Sequence, residues 1–317
     1  MKFKQILTYL CISTNFLHSA IIDLSPEEGI EHYFNKIINR PEIHSLDGID
    51  YIYVINLDER PEKFQSTLDQ LSPYGITPYR FSAVNGWKLP LSAFSYLGVK
   101  YSPEMTSNHM GTSYLIEDQG MPSHEMVHLP GKTYFCHCMS RGAVGIVLSH
   151  LSVLQDAWDN GYETIWVMED DIEVKKDPRF LPEVIKKLDD LLGHDGWDIL
   201  FTDQDTIGRD GKQVICTSFA WRPNFAPSNP YQFQYRQDIS EDFRRLGARF
   251  GAYSMIVRRS GMKKILDFCK TYHIFMPYDM EFTQPPGIIL INVRDEIVST
   301  QARALSDNGA PNYEKSN

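Results

Sequence analysis

The sequence predicts an α/β fold, with a Rossmann-type, mostly parallel sheet flanked by helices. Residues 51–82 give an apolar strand, an amphipathic helix and a second strand. A β-α-β unit of this kind forms a right-handed crossover between two parallel strands. Further along, residues 165–168 form a fully apolar run of β-branched and aromatic side chains. Such a run is typical of a strand buried on both faces, as the strands of parallel sheets are.

The predicted elements follow in order along the chain. Ser25 is a cap residue and Pro26 suits the first helical position, so we expect a helix that runs to about residue 38. Residues 51–57 are rich in β-branched and aromatic side chains, which predicts the first strand. The other predicted elements are a helix at 58–71, a strand at 77–82, a helix at 141–160, the strand before Glu169, a helix at 177–192, strands at 197–202 and 247–257, and a helix at 260–270.

Residues 50–305 are predicted to form one large domain, between an N-terminal helical extension at 21–49 and a tail at 306–317. Within the domain, residues 87–138 mix Gly, Pro, Ser, Met and His without a sustained hydrophobic period. This composition predicts a long excursion from the sheet.

Residues 1–20 place Lys2 and Lys4 before a short apolar core and end in Ser19-Ala20, which is the order of a secretory signal peptide. A leading helix that packs on the domain is the alternative, because polar residues interrupt the core. A signal would direct the protein to a periplasm, a lumen or the exterior. Without one, the protein would be cytoplasmic or peripheral to a membrane.

Composition excludes several classes of protein. The net charge of −10 and the pI near 5.5 argue against binding to nucleic acid through a basic surface. No apolar run approaches the ~20 residues that span a bilayer, so no transmembrane span is predicted. Cys136-His137-Cys138 lacks a second pair of ligands at zinc-site spacing, which predicts thiols here and not a zinc site. The sequence predicts no particular oligomeric state.

Glu169, Asp170 and Asp171 directly follow the apolar run at 165–168. Isolated charges are too costly to bury inside a sheet. These carboxylates must therefore lie just past the carboxyl end of the strand, at the edge where open α/β sheets bind ligands. Clustered oxygen ligands suit a hard cation such as Mg²⁺ or Mn²⁺, which would neutralise a diphosphate. The triplet predicts a metal-assisted enzyme that acts on a phosphate-bearing donor.

Within the triplet, Glu169 and Asp171 lie two residues apart and are expected to point the same way from an extended segment. We assign both to the metal, with Asp170 turned toward the substrate or an inner strand. The alternative, a helix cap, leaves the triplet unexplained because Asp177 itself would cap the next helix.

Short polar side chains also follow the first strand. We predict that Asn56 and Asp58 hydrogen-bond a nucleotide there, and that the guanidinium fork of Arg60 binds phosphate. The alternative is that Asp58 caps the following helix and Arg60 lies on the surface.

Several short blocks of sequence each give only a weak indication of a protein family, but their order along the chain is specific. They are residues 53–58 with 60–62, 80–81 with 83–86, 142–145 with 148–150, 169–171, 197–200, 251–253 with 260–261, and Pro277 with Asp279. In this order they resemble glycosyltransferase family 25, the group that contains lipooligosaccharide and collagen galactosyltransferases. The resemblance spans most of the chain.

The resemblance implies a GT-A-like domain that transfers a hexose, with inversion, from a nucleotide-diphosphate sugar. UDP-galactose is the usual donor of the family, and glucose is the alternative sugar. The acceptor would be a hydroxyl group on a glycan, a lipooligosaccharide or another lipid-linked or protein-linked group. Glu169 and Asp171 would hold Mn²⁺ or Mg²⁺ against the donor diphosphate, and Asp170 would be a catalytic group near the sugar hydroxyls.

The resemblance also assigns residues outside the triplet. Ser149 and His150 belong to its helix block, which implies donor binding, whereas a core position is the alternative for this histidine. An inverting transfer needs a general base to take the proton of the acceptor hydroxyl, and Asp279 is the candidate. Because it follows Pro277, we expect it on a turn, where a capping role is the alternative.

This sequence departs from the family pattern at three places. Asn85 stands where the family usually has Asp, so we assign it no ribose or metal role. Asp203 and Asp205 add an Asp-x-Asp motif, which is a rival metal site or base, or else a hydrophilic turn. The excursion at 87–138 is long for a compact member, and we expect it on the acceptor side. Five of its aromatic residues would stack on sugar rings or anchor the loop: Trp87, Phe94, Tyr96, Tyr101 and Tyr114.

Two other functions compete with sugar transfer. A catalytically inactive sugar- or nucleotide-binding protein of the same fold would be expected to lose acids from the triplet, and this chain keeps all three. A different metal-dependent phosphate-ester enzyme, of the haloacid-dehalogenase type, would need an Asp where Asn56 stands. Sugar transfer is therefore the leading prediction.

Overall fold

The structure is a computed structural model that describes residues 29–41, 46–204, 214, 216, 221–301 and 304–315. The predicted signal peptide at residues 1–20 lies outside this part of the chain. The strands and α-helices are, in order, β1 (Tyr51–Asn56), α1 (Pro61–Leu71), β2 (Tyr79–Ser82), α2 (Leu91–Leu97), β3 (Val99–Lys100), β4 (Met110–Tyr114), β5 (Pro122–Met126), β6 (Thr133–Cys136), α3 (Arg141–Asp159), β7 (Thr164–Glu169), β8 (Ile172–Val174), α4 (Leu181–Leu192), β9 (Ile199–Phe201), β10 (Arg236–Asp238), β11 (Phe243–Leu246), β12 (Ser254–Arg258), α5 (Arg259–Tyr272), α6 (Tyr278–Glu281), β13 (Leu290–Val293) and β14 (Val298–Thr300). Short 3₁₀ helices lie at Ile30–Tyr33, Ser72–Tyr74, Pro178–Phe180, Pro230–Gln234 and Asn312–Lys315.

An 8-stranded sheet forms the centre of the protein, in the order β10-β11-β13-β9-β12-β7-β1-β2. β1 pairs in parallel with both β2 and β7, as the β-α-β order predicts. Only β11 and β12 run against the other strands of this sheet. The predicted α/β fold, with a mostly parallel, Rossmann-type sheet flanked by helices, is confirmed.

The central strands are buried on both faces. Tyr53 of β1 packs in the apolar cluster that contains α3 and α5. Its neighbour Val54 points to the opposite face, where α4 supplies Leu181 and Leu188. This alternation places one apolar layer on each side of the sheet. No helix in the described part of the chain has both the length and the apolar character that crossing a membrane requires.

Helix α3 lies close against the loop that follows β2. Its N-cap is Ser140, whose Oγ accepts a hydrogen bond from Ala143 N at 2.9 Å. A Cβ on Gly86 would lie 1.9 Å from Arg141 O, and one on Gly145 would lie 2.5 Å from Gly86 N. Backbone therefore approaches backbone at a distance that only glycine permits. This contact holds the next turns of α3 beside the carboxyl ends of β1 and β2.

The excursion at 87–138 is regular, in contrast to the loose segment that we expected. It contains α2 and a 4-stranded sheet in the order β3-β6-β4-β5, all antiparallel. These strands span at most 5 residues, which is too short for a clear alternation of apolar and polar side chains.

The helix predicted at 25–38 is wrong over its described residues. Ile30–Tyr33 is a 3₁₀ helix, and Phe34 after it is extended. Asn35 explains the difference, because its N donates to Ser152 Oγ at 3.1 Å and its side chain donates to Ser82 O at 2.9 Å. Tertiary contacts thus replace the hydrogen bonds that a helix would make.

The strand predicted at 247–257 is shorter than expected. Gly251 has a φ of 82°, a left-handed conformation that does not occur within a regular strand. β12 begins only at Ser254.

Candidate functional site

A cleft opens at the carboxyl ends of β1, β2 and β7. Because these strands are parallel neighbours, their ends meet at one edge of the sheet, which is where open α/β sheets bind ligands. The lining comes from these strand ends, α3, the acidic triplet, Lys63 of α1 and residues 306–308 of the C-terminal tail. The volume is about 660 Å³ when the open mouth is included.

Glu169, Asp170 and Asp171 come together in the wall of this cleft. Glu169 ends β7, and the other two form a turn into β8, not the extended segment that we expected. Asp170 Oδ2 accepts a hydrogen bond from Asn56 Nδ2 at 2.6 Å. Asp171 Oδ1 is buried and has no hydrogen-bond partner among the described residues. Leaving a buried acceptor unpaired costs free energy, so a hydrogen-bond donor or a cation at this atom would stabilise the site.

Burial raises the pKa of all three carboxyl groups. The pKa of Glu169 rises to about 7, first from burial and then from the negative charges of Asp170 and Asp279. The pKa values of Asp170 and Asp171 rise to about 6, again mainly from burial. The surrounding residues therefore compensate the negative charge of the ionised triplet only in part, and a bound cation would stabilise it.

Lys63 is the only lysine or arginine among the described residues that line the cleft. Its Nζ lies 3.7 Å from Asp170 Oδ1 and 4.0 Å from Asp307 Oδ2, and it donates to Leu305 O at 2.8 Å. Its charge opposes the rise in pKa of each triplet carboxyl group. Lys63 was not predicted from the sequence. Its position in the first turn of α1, the helix that follows β1, could have indicated that it faces the ligand-binding edge of the sheet.

Ser149 and His150 lie side by side on α3, and both line the cleft. Ser149 Oγ accepts from Val84 N at 2.8 Å and donates to a carbonyl one turn back in α3, so its hydroxyl already has two partners. The His150 ring stacks on Tyr278 with centroids 4.0 Å apart, and its Nε2 lies 3.2 Å from Glu169 Oε1. Burial lowers the pKa of His150 to about 3. The imidazole is thus neutral, and it holds the Glu169 side chain in place.

Asn56 and Asp58 lie outside the described lining of the cleft. Asn56 is buried, donates to Asp170 and to Arg60 O, and accepts from Arg80 Nε at 2.7 Å. Asp58 lies at the surface and pairs with Arg80 at 2.8 Å. The N-cap of α1 is Arg60, with no side-chain cap bond, so Asp58 does not cap the helix either. In this arrangement Asn56 positions Asp170.

Arg60 is buried, and its fork holds a carboxylate of the C-terminal tail. Both of its hydrogen bonds to Asp307 are 2.8 Å long. Trp87 Nε1 donates to Asp307 O at 2.8 Å, and Ser140 Oγ donates to Asn308 Oδ1 at 2.7 Å. Arg60 therefore does not lie on the surface, which was the alternative to phosphate binding. No local pattern reveals this pair, because the partners are 247 residues apart.

Asp279 lies in the first turn of α6, not on the turn that we expected. Its Oδ2 accepts a hydrogen bond from Gly251 N at 2.9 Å. It stands outside the described lining of the cleft, but its charge raises the pKa of Glu169 and His150. Burial raises the pKa of Asp279 itself, which makes its carboxylate a stronger base.

A buried ion pair holds the segment that carries Asp279. Arg222 Nη1 pairs with Glu281 Oε2, and both side chains are 0% exposed. Glu281 Oε1 accepts from Phe275 N at 2.6 Å and from Met276 N at 2.8 Å, and Arg222 donates to two carbonyls at the end of α5. Neither residue was singled out in the sequence, since the pair joins positions 59 residues apart.

The second acidic motif is divided between described and undescribed residues. Asp203 is buried and pairs with Arg249 Nη1 at 2.8 Å, so the hydrophilic turn expected there is wrong for this residue. Asp205 lies outside the described residues. Because Arg249 already compensates its charge, Asp203 is a weaker candidate for a cation than the triplet is.

The aromatic residues of the excursion divide into two groups. Three are almost wholly buried and anchor the excursion to the core: Phe94, Tyr101 and Tyr114. Tyr96 is exposed, and Trp87 lines the cleft. Of these five residues, only Trp87 lines the cleft where a sugar could stack on it, and Tyr96 is accessible elsewhere on the surface.

The triplet suits Mg²⁺ or Mn²⁺ in its chemistry. All three groups are carboxylates with raised pKa, and Asp171 Oδ1 lacks a partner among the described residues. As the side chains stand, no group of three or more His, Cys, Asp or Glu in the described ranges is gathered closely enough to hold an ion. The residue types at Glu169 and Asp171 therefore fit a hard cation, whereas their present spacing does not form a closed set of ligands.

Sequence comparisons give the family of the chain. A family model described as "Glycosyltransferase family 25 (LPS biosynthesis protein)" matches residues 49–282. A "Glycosyltransferase 25 family member" of Aedes aegypti is 26% identical over 63% of this chain. An "Inactive glycosyltransferase 25 family member 3" of Mus musculus is 26% identical over 64%, and a family member of Drosophila pseudoobscura pseudoobscura is 24% identical over 59%. The chain spans only 27%, 30% and 25% of the lengths of these curated relatives. Because the family model covers well over half of its residues, the chain belongs to glycosyltransferase family 25.

Proposed function

We propose that the protein is a metal-dependent, inverting glycosyltransferase that uses a nucleotide-diphosphate sugar. The observation that carries the proposal is the convergence of the triplet and Lys63 at the carboxyl edge of parallel strands. Carboxylates for a cation and an ammonium group for phosphate are the two features that a diphosphate leaving group requires. Membership of family 25 supports sugar as the transferred group.

Glu169 and Asp171 would hold the cation. When bound, Mn²⁺ or Mg²⁺ supplies positive charge that stabilises the nucleoside diphosphate as it leaves the sugar. Neutral His150 fixes Glu169 through the 3.2 Å contact, and Asn56 fixes Asp170. Lys63 lines the cleft beside the triplet, and in this proposal its Nζ donates to a phosphate oxygen of the donor. Asp279, with its raised pKa, takes the proton of the acceptor hydroxyl.

The finer assignment is a hexose donor, with UDP-galactose favoured and UDP-glucose as the alternative, and a glycan, lipid-linked or protein-linked acceptor. A screen of nucleotide sugars tests both the class and the sugar. We expect the purified protein to hydrolyse one UDP-hexose slowly in the presence of Mn²⁺, releasing UDP, with little activity in EDTA. Absence of hydrolysis for every nucleotide sugar, together with absence of nucleotide binding, would contradict the proposal.

A protein that binds the donor without turnover is the competing function. The name of the mouse relative, which calls that protein inactive, is the observation that favours it. The two functions differ in one result, since an inactive protein would bind UDP with Mn²⁺ in calorimetry and release no UDP from any UDP-sugar, even with acceptor glycans present.

The first prediction from this site concerns Lys63. We expect Lys63→Ala to weaken binding of UDP about 10- to 100-fold, because a hydrogen bond to a charged group contributes about 1.5–3 kcal/mol. Lys63→Arg should keep most of the affinity. Calorimetric titration with UDP and Mn²⁺ measures the effect, and Lys186→Ala, on the exposed face of α4, is the matched control. Equal affinity for Lys63→Ala and the control would remove Lys63 from the donor site.

A second prediction concerns the excursion. We expect it to contact the acceptor, so shortening it should weaken acceptor use and spare donor affinity. Shortening all of 106–120 would delete β4, which lies between β5 and β6. The change should therefore be confined to residues 115–121, replaced by Asn-Gly as a two-residue turn. Loss of UDP binding in a variant that stays folded would place the excursion at the donor site instead.

A further inference from the structure

The end of β6 carries two thiols in contact. Cys136 is the last residue of β6, and a turn follows in which Met139 N donates to Cys136 O at 3.0 Å. A β-turn of this kind folds the chain back within four residues. It brings Cys136 Sγ to 3.1 Å from Cys138 Sγ. Since a disulfide bond is about 2.05 Å long, the sulfur atoms need to approach by only about 1 Å.

The two thiols differ in the way that thiol–disulfide exchange requires. Cys138 is exposed, whereas Cys136 is buried. The hydrogen bond from Cys136 lowers the pKa of Cys138 to about 7, and the same contact, with burial, raises the pKa of Cys136. The accessible sulfur is therefore the one that is readily ionised, and a thiolate is the attacking species in disulfide exchange. Cys216 and Cys269 are both buried.

We propose that Cys136 and Cys138 are a redox-active dithiol that closes to a disulfide on reaction with a small-molecule disulfide. The Cys138 thiolate attacks one sulfur of the oxidant, and the other sulfur leaves as a thiolate. Cys136 then loses its proton and attacks Cys138 Sγ, releasing the second thiol. Two protein thiols are oxidised by two electrons, and the small disulfide is reduced to two thiols, which take up the two protons.

The dithiol lies next to elements that form the candidate site, but neither cysteine lines the cleft. Ser140, two residues after Cys138, caps α3, whose residues line the cleft. Cys136 N donates to Phe275 O at 2.7 Å, in the segment before Asp279. A disulfide here would form at the junction between the small sheet, α3 and α6, and it requires no sugar-transfer activity.

Mass spectrometry tests the proposal on the full chain. Reduced protein is exposed to oxidised glutathione, its remaining thiols are alkylated, and it is digested with trypsin, which releases residues 133–141 with both cysteines. We expect this peptide to lose two hydrogen atoms and to resist alkylation until it is reduced. Cys138→Ser should abolish the mass loss at this peptide, and Cys269→Ser should leave it unchanged. Alkylation of both thiols after oxidant treatment, a lasting glutathione adduct on Cys138, or linkage to Cys216 would each overturn the proposal.

Discussion

Replacement of Asp171 by Asn is expected to reduce kcat for sugar transfer about 10²–10³-fold, the usual effect of removing one charge-stabilising group. Glu169→Gln should behave in the same way. The folded state should not suffer, because burial already raises the pKa of Asp171 to about 6. Near neutral pH its ionised form is therefore less favourable in the folded chain than in the unfolded chain. Asn removes that charge, so the melting temperature should stay equal or rise.

Transfer kinetics at saturating donor and Mn²⁺, measured beside thermal unfolding, separate these two effects. Glu173→Gln is the matched control, because this carboxylate of β8 is close in sequence and lies at the surface. We expect it to keep normal kcat. Full activity in both Asp171→Asn and Glu169→Gln would move the metal site away from the triplet, with Asp203 and Asp205 the next candidates.

Glu281→Gln is expected to lower the free energy of unfolding by about 3–5 kcal/mol, the range observed when one partner of a buried ion pair is removed. The substitution leaves Arg222 charged in a place where both side chains are 0% exposed. It also replaces the carboxylate that accepts hydrogen bonds from Phe275 N and Met276 N with a neutral amide, which is a weaker acceptor. Phe275 and Met276 lie just before α6. Losing these contacts should therefore make the position of Asp279, in the first turn of α6, less defined.

Urea unfolding measures this second effect. Glu183→Gln, at an exposed position in the first turn of α4, is the control and should change the unfolding free energy by less than about 0.5 kcal/mol. A loss below about 1 kcal/mol in Glu281→Gln would mean that water reaches the pair, and that it does not fix α6 in the way that we infer.

The sequence predicted those elements whose own residues carry the signal. Two examples are the helix at 141–160 and the strand before Glu169. Each has enough apolar residues to define its hydrophobic period and the residue where it ends, and the structure has α3 and β7 there. The small sheet of the excursion escaped prediction because its strands are short. The helix at 25–38 was wrong because Asn35 bonds to Ser152 and Ser82, and no propensity encodes such long-range contacts.

For the candidate site, the sequence predicted the location but not the role of each side chain. The edge of the sheet and its acidic triplet follow from burial cost alone, and both lie in the cleft. The roles of individual side chains depend on partners that are distant in sequence. Arg60 has the fork that a phosphate needs, but Asp307 occupies it. Asn56 has the polarity for a nucleotide, but Asp170 and Arg80 take its hydrogen bonds. Such competition is decided by tertiary structure.

The central claim is that the triplet holds a divalent cation against the diphosphate of the donor. An anomalous difference map from a crystal grown with Mn²⁺ and UDP tests it most directly. We predict one strong manganese peak within coordination distance of Glu169 and Asp171, with the diphosphate between that peak and Lys63. A manganese peak at Asp203, or a bound diphosphate with no manganese beside the triplet, would contradict the claim.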